Sequence, residues 1–337
     1  MTIRLIAALF AFAVAASACG GSDDATTSDA TPATDPAATS ADPTTPPTTT
    51  STTTAAPPTT TVVTTTTAAG PVPELATYEV EVTSDVVYGT GAVRNGEIDL
   101  MAKLFVPVDA VGPHPVYIHL PGGGFQFSDA NNSGPAKALA ERGFVAAAFD
   151  YRVQGDDPIP SERVGGIYDS VGGADGGGLG RAIAAAVEDG LLGTEWLLAQ
   201  AEELDLDLDR VVLGGGSAGA ITANHISYTA EDFGFERPSI AAAVDLWGGF
   251  TLAKPAETVT GDEPPVFIVH GTEDNVVSYT FTEDFVAAAE AAGLPYEVYP
   301  VQGAGHGVDL VATEADDGVT LFDHMVAWLR TTLYPAA

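Results

Sequence analysis

The chain has a single cysteine among its 337 residues. No intrachain disulfide can form, so whatever folds must be held together by its core. Basic residues are also few, 12 against 46 acidic ones, for a formal charge of -34. Nucleic-acid binding needs a basic footprint, and that class of partner is excluded. The apolar stretch near the start, Leu5 to Ala16, falls short of the roughly 20 residues that cross a bilayer. From Gly20 to Gly70 large apolar side chains are nearly missing, and such a segment cannot bury enough surface to offset the entropy of ordering it. The Gly-rich turn at Gly214 to Gly219 has no lysine after it, which sets it apart from a phosphate-cradling P-loop. No metal and no cofactor is expected.

The first residues carry an address. Arg4 supplies a positive start, Leu5 to Ala16 an apolar centre, and Ala16-Ser17-Ala18 a small-residue exit, so residues 1–18 read as a secretion signal. Cys19 follows directly and resembles the lipid-modified cysteine of a bacterial lipobox. Residues 19–70, rich in Thr, Pro and Ala, read as an extended spacer behind that anchor. The expectation is an extracytoplasmic, cell-surface lipoprotein that meets the membrane only through Cys19, with one folded domain over 71–337.

That domain alternates strand and helix patterns, which predicts an α/β fold with a mostly parallel sheet. Strands are expected at Tyr78–Val87, Ile98–Val106, Pro115–Leu120, Phe144–Phe149, Arg210–Leu213, Ile240–Leu246, Pro265–Val269 and Tyr296–Tyr299. Helices are expected at Pro135–Arg142, Leu179–Leu204, Ala218–Tyr228, Tyr279–Ala292 and Leu321–Leu333. Between them, Gln154–Gly178 is an irregular Gly-rich stretch, either a functional loop or a small flap. The interval from Leu246 to Pro265 is too short for a large lid.

The chemistry centres on Gly215-Gly216-Ser217-Ala218-Gly219. This G-x-S-x-G run lies after a strand and before a helix, the setting of a nucleophile elbow. A serine hydroxyl needs a base to take its proton, and in that setting the partners follow in the order acid, then histidine. The strand ending at Val269 runs into His270-Gly271-Thr272-Glu273-Asp274. Asp274 fits the acid's position best, with Glu273 beside it and Asp245 one strand earlier as competitors. His306, in Gly303-Ala304-Gly305-His306-Gly307, follows the last strand and fits the base. His270 reads as structural, His225 and His324 as helical residues, and His114 as a surface residue. Pro121-Gly122-Gly123-Gly124-Phe125 stands where backbone amides would receive a developing oxyanion, with Ala218 supplying another.

Taken together, the Phe149-Asp150-Tyr151-Arg152 strand end, the elbow, the His270 to Asp274 loop and the His306 loop make residues 97–333 resemble α/β-hydrolase carboxylesterases of the HGGG type, the hormone-sensitive-lipase-like and feruloyl-esterase-like group. The resemblance implies an α/β-hydrolase fold with helices on both faces and no large cap domain. It implies a catalytic triad of Ser217, Asp274 and His306, and oxyanion donors at Gly123, Gly124 and Ala218. The chain departs from the pattern at Pro121, where the family carries histidine; His119 lies two residues earlier. The implied activity is hydrolysis of a carboxylic ester through an acyl-enzyme, on short-chain, aryl, acetyl or feruloyl esters, free or borne on a polymer. A serine peptidase of the same fold and a surface binding protein without turnover are the alternatives. Phe125, Phe127, Trp247 and Phe250 are expected to line the substrate pocket.

Overall fold

A computed structural model describes residues 77–335. The expected signal segment, Cys19 and the 19–70 spacer lie outside the described residues.

Two long strands open the fold, β1 (Val80–Val93) and β2 (Gly96–Pro107), joined through Arg94 and Asn95. Then come β3 (His114–Leu120), α1 (Gly134–Ala140), β4 (Val145–Phe149), α2 (Gly165–Ser170) and α3 (Gly178–Leu198). The second half runs β5 (Leu206–Gly216), α4 (Ala218–Tyr228), α5 (Ala230–Phe233), β6 (Ala242–Leu246), α6 (Pro255–Thr258), β7 (Val266–Gly271), α7 (Thr280–Ala292), β8 (Tyr296–Val301) and α8 (Leu321–Leu333).

The strands form one sheet in the order β1-β2-β4-β3-β5-β6-β7-β8. From β4 to β8 the neighbours are parallel, and β1 and β2 are antiparallel additions at one edge. A parallel sheet must be covered on both faces, so its strands are near-continuous apolar runs. Alternation decides which side chain goes where. Val116, Ile118 and Leu120 of β3 pack with α3 and α4, whereas Tyr117 packs with α1 and α8 on the opposite face. α7 joins the α4 side, where Phe285 and Ala289 pack with Tyr228.

Two expectations need correction. β1 and β2 reach further toward each other than expected, with Asp85 at a left-handed φ of 57° inside the first of two register shifts of the pair. Such irregularities bend an edge strand and let charged residues sit in it. The helix expected to reach Leu204 stops at Leu198, because the chain turns back and Asp205 takes a positive φ of 47°. β5 therefore starts at Leu206, earlier than its acidic first half suggests. The Gln154–Gly178 stretch is a flap of short helical turns, of which α2 is the longest, and its buried Val164 and Ile167 pack into the core with α3.

Residues 247–265 carry only the short α6, so no large cap sits between β6 and β7. No helix among the described residues is long and apolar enough to cross a membrane.

Candidate active site

Ser217 occupies the sharp turn between β5 and α4 with φ 53° and ψ -120°, a backbone region costly for a residue with a side chain. Close packing enforces the turn. A Cβ on Gly219 would come within 1.9 Å of the Leu120 carbonyl oxygen, and one on Gly215 within 2.4 Å of the same atom. Both positions therefore have to be glycine. The Ser217 amide bonds the Leu246 carbonyl at 2.9 Å, which pins the elbow to the end of β6.

Asp274 and His306 come to the elbow from the ends of β7 and β8. Their two loops are bound together: Glu273 N–H donates to Ala304 O at 2.9 Å and Thr272 N–H to Val301 O at 3.0 Å. His306 Nε2 lies 2.8 Å from Ser217 Oγ, and His306 Nδ1 lies 2.7 Å from Asp274 Oδ2. The other oxygen, Oδ1, accepts from the amides of Val276 and Val277 at 2.8 and 3.0 Å. With its side chain fully buried, Asp274 is held from both sides. Glu273 is exposed and makes no such contact. Asp245 is committed elsewhere: it accepts from Asn224 Nδ2 at 2.7 Å and the Gly248 amide at 2.8 Å, shaping the turn after β6. Burial pushes its carboxyl above the usual range, and the hydrogen bond from Asn224 counters that.

The glycine loop after β3 leans directly on the elbow. A Cβ on Gly122 would meet Gly216 O at 3.0 Å and Ser217 Cβ at 3.3 Å. Gly123, Gly124 and Phe125 all have positive φ, at 149°, 61° and 58°, and a Cβ on Gly123 would strike Phe127 O at 1.9 Å. Among the described residues the amides of Gly123 and Gly124 have no protein acceptor. Ala218 opens α4, where first-turn amides have no intrahelical acceptor either. Amides free in this way beside a nucleophile can receive a negatively charged oxygen.

Pro121 stands where the HGGG pattern has histidine, and other groups hold the loop. Tyr151 Oη donates to Pro121 O at 2.7 Å, and Gln154 N–H to Phe125 O at 2.8 Å. Tyr151 is fixed by its neighbour Arg152, which is buried against Asp189 and Glu188. His119 also contributes, since its Nε2 lies 3.2 Å from Asn132 O, the far limb of the same loop. Burial lowers its pKa to about 4, partly countered by that hydrogen bond.

Beside the elbow is a cavity of about 300 Å³, lined by Gly122, Gly216, Leu246, Trp247, Val308 and Leu310 among others. Of the four aromatics expected to line a pocket, Trp247 alone borders this one. Phe250 is core, wedged edge-on against Phe285 with Tyr228 alongside. Phe125 is buried with Tyr151, Ile221 and Val277, and Phe127 is 66% exposed. Aromatic identity in sequence cannot distinguish these outcomes; the direction of each side chain decides them. His114 is likewise buried rather than on the surface, with Nδ1 3.1 Å from Gly143 O. Sequence reasoning missed Tyr151 and His270 as neighbours of the site. The i, i+4 spacing of His270 and Asp274 across the β7 turn was the available signal.

Comparisons with known proteins agree with this fold. Residues 181–261 match the family model described as alpha/beta hydrolase fold, and residues 246–335 match that of the prolyl oligopeptidase family. Esterase LipC of Mycobacterium tuberculosis is 25% identical over 59% of this chain and 54% of its own length. The probable carboxylic ester hydrolase LipM of the same organism is 24% identical over 64% of this chain and 54% of its own. The chain thus spans about half the length of the curated relatives it matches. Among solved structures, propionate-bound esterase 2 of Thermogutta terrifontis superposes with a TM-score of 0.55 at 24% identity, covering 79% of this chain and 98% of that one. The deep-sea metagenomic α/β hydrolase MGS-M1 gives 0.53 at 20% identity over 75% and 98%. The chain has the α/β-hydrolase fold.

Proposed function

We propose that this chain is a serine carboxylic-ester hydrolase working through a covalent acyl-enzyme. The observation that carries the reading is the continuous bridge from Ser217 Oγ to His306 Nε2 and from His306 Nδ1 to Asp274, beside free amides and a cavity.

In the first step His306 Nε2 takes the Ser217 proton as Oγ bonds to the ester carbonyl carbon. The carbonyl electron pair moves onto oxygen, and the amides of Gly123, Gly124 and Ala218 receive that charge; one such donor is worth about 3 kcal/mol of barrier. As the intermediate collapses, the bond to the alcohol oxygen breaks and the imidazolium returns its proton to the leaving alkoxide. Water, deprotonated by His306, then attacks the acyl-Ser217 carbonyl; the bond to Ser217 Oγ breaks, the imidazolium returns its proton to Oγ, and the acid leaves. Asp274 holds the imidazole and stabilises its charged form.

The named relatives support an ester as substrate, and the reading extends to short-chain, aryl, acetyl or feruloyl esters, free or on a polymer. Thermogutta esterase 2 is named as binding propionate and butyrate, at an identity that carries fold alone. The match of residues 246–335 to the prolyl oligopeptidase family favours a second reading, a serine peptidase. Paired ester and amide substrates with the same acyl group separate the two. Faster turnover of the ester supports the first reading, and faster amide cleavage supports the second. Retention of wild-type ester turnover by a folded Ser217→Ala variant would defeat both.

The proposal extends to location. Cys19 carries the lipid, residues 19–70 space the domain from an extracytoplasmic membrane surface, and Cys19→Ser releases the protein into the soluble fraction. Variant protein that stays on membranes through a salt wash would contradict this.

A further inference from the structure

Asp274 Oδ2 serves two imidazoles. His306 Nδ1 reaches it at 2.7 Å and His270 Nε2 at 3.2 Å. His270 is fully buried, and its Nε2 also lies 2.9 Å from the carbonyl of Val277, the residue whose amide holds the other Asp274 oxygen. A carboxylate and a carbonyl can only accept here, so Nε2 carries the proton and its N–H is shared between them. The opposite nitrogen, Nδ1, lies 2.7 Å from Thr282 Oγ1 on α7, whose hydroxyl donates to it. A chain of hydrogen bonds therefore runs from α7 through His270 and Asp274 to His306 and Ser217.

We propose that His270 is a positioning residue for Asp274: its Nε2–H fixes the carboxylate oxygen that orients His306 and shares the charge of that oxygen. The inference rests on the ester-hydrolase reading of the site. Two consequences follow from the geometry. Without the His270 donor, Asp274 loses one of the bonds that set its angle toward His306. The charge on Oδ2 also becomes less dispersed, so the carboxylate holds a protonated His306 more strongly. Other groups facing His270 are Tyr279, edge-on at 5.6 Å, and Asp245 from β6, whose carboxylate is taken up by Asn224 and Gly248. His306 is flanked by Asp274 and Ser217.

The test measures kcat, KM and the pH profile of kcat/KM for full-length wild type, His270→Phe and His270→Gln on a neutral aryl acetate. Rates are expressed per active site titrated with a phosphonate. Phenylalanine keeps the ring against Tyr279 and removes the donor, whereas glutamine restores an N–H near the Nε2 position. The expected result for His270→Phe is about a tenfold fall in kcat with little change in KM. Its acid limb should move up by about half a pH unit. His270→Gln should recover most of kcat and the wild-type limb. If His270→Phe does not fold, Thr282→Val carries the test. Loss of the hydroxyl weakens the Nε2–H as a donor, and kcat should fall several-fold with the limb displaced the same way. Wild-type kcat and pH profile in His270→Phe, or in Thr282→Val where that variant decides, would overturn the inference. So would equal impairment of His270→Phe and His270→Gln with an unmoved limb, the mark of a merely structural role. Absence of ester turnover in the wild type would instead overturn the functional reading beneath it.

Discussion

The phenol of Tyr151 donates to the carbonyl of Pro121 across 2.7 Å, tying the end of β4 to the loop that carries Gly123 and Gly124. Both partners are buried, so no water can substitute for the bond. Through it the buried Arg152 group, one residue along, steadies the glycine loop that packs on the elbow.

Tyr151→Phe should therefore lower kcat about three- to tenfold while changing KM little, because the oxyanion is met only in the transition state. Stability should fall by about 1–3 kcal/mol, the cost of leaving the Pro121 carbonyl unsatisfied. Steady-state kinetics and urea unfolding check the two halves. Unchanged kcat would show that the Gln154 to Phe125 bond suffices to hold the loop.

Gly219→Ala places a methyl group 1.9 Å from a backbone oxygen of β3, which cannot swing aside as a side chain would. The variant should lose on the order of 3 kcal/mol or fail to fold. Gly155→Ala is the control, since a Cβ there meets nothing within 4 Å, and its unfolding midpoint should match wild type. Thermal or urea unfolding of the pair decides.

The elbow was legible because its requirements are local. Small residues around a serine, a strand before and a helix after leave few other structures. Asp274 and His306 were legible from chain order and their places after β7 and β8. What could not be read was direction. Phe250 and Trp247 lie three residues apart, yet one turns into the core and the other borders the cavity. The Leu206 to Asp209 half of β5 alternates apolar and acidic residues and lies outside the strand expected at Arg210–Leu213. It is strand because His114 pairs with Leu206 across the sheet. Pro121 in place of the histidine of the HGGG pattern says nothing of what supports the loop, and only the fold shows Tyr151 and His119 holding it.

Two buried histidines favour unfolding on acidification between about pH 6.5 and 4. Burial holds His119 and His225 at about 4, whereas in the unfolded chain they titrate near about 6.5. Over that window the unfolded chain binds two protons that the fold refuses, so protons favour unfolding. Asp150 opposes this: burial raises its carboxyl to about 6, so the fold binds a proton that the unfolded chain, at about 3.9, does not. Being partly exposed, it offsets at most one of the two. Asp189 and Asp245, whose carboxyls burial also raises, oppose the histidines further, while each histidine by itself contributes a slope on the order of 1.4 kcal/mol per pH unit. His225→Gln removes one unfolded-state proton and should take about that amount off the slope. Urea unfolding of both proteins at pH 4, 5, 6 and 7 checks it; an unchanged slope in the variant would contradict the assignment.

The central claim is that Ser217 Oγ becomes acylated. Intact-mass spectrometry of a rapidly acid-quenched reaction with an aryl ester tests this directly, followed by peptide mapping. The account predicts one added acyl group on wild type, located on Ser217, and none on Ser217→Ala. Sustained ester turnover with no adduct, or an adduct and undiminished turnover in Ser217→Ala, would contradict it.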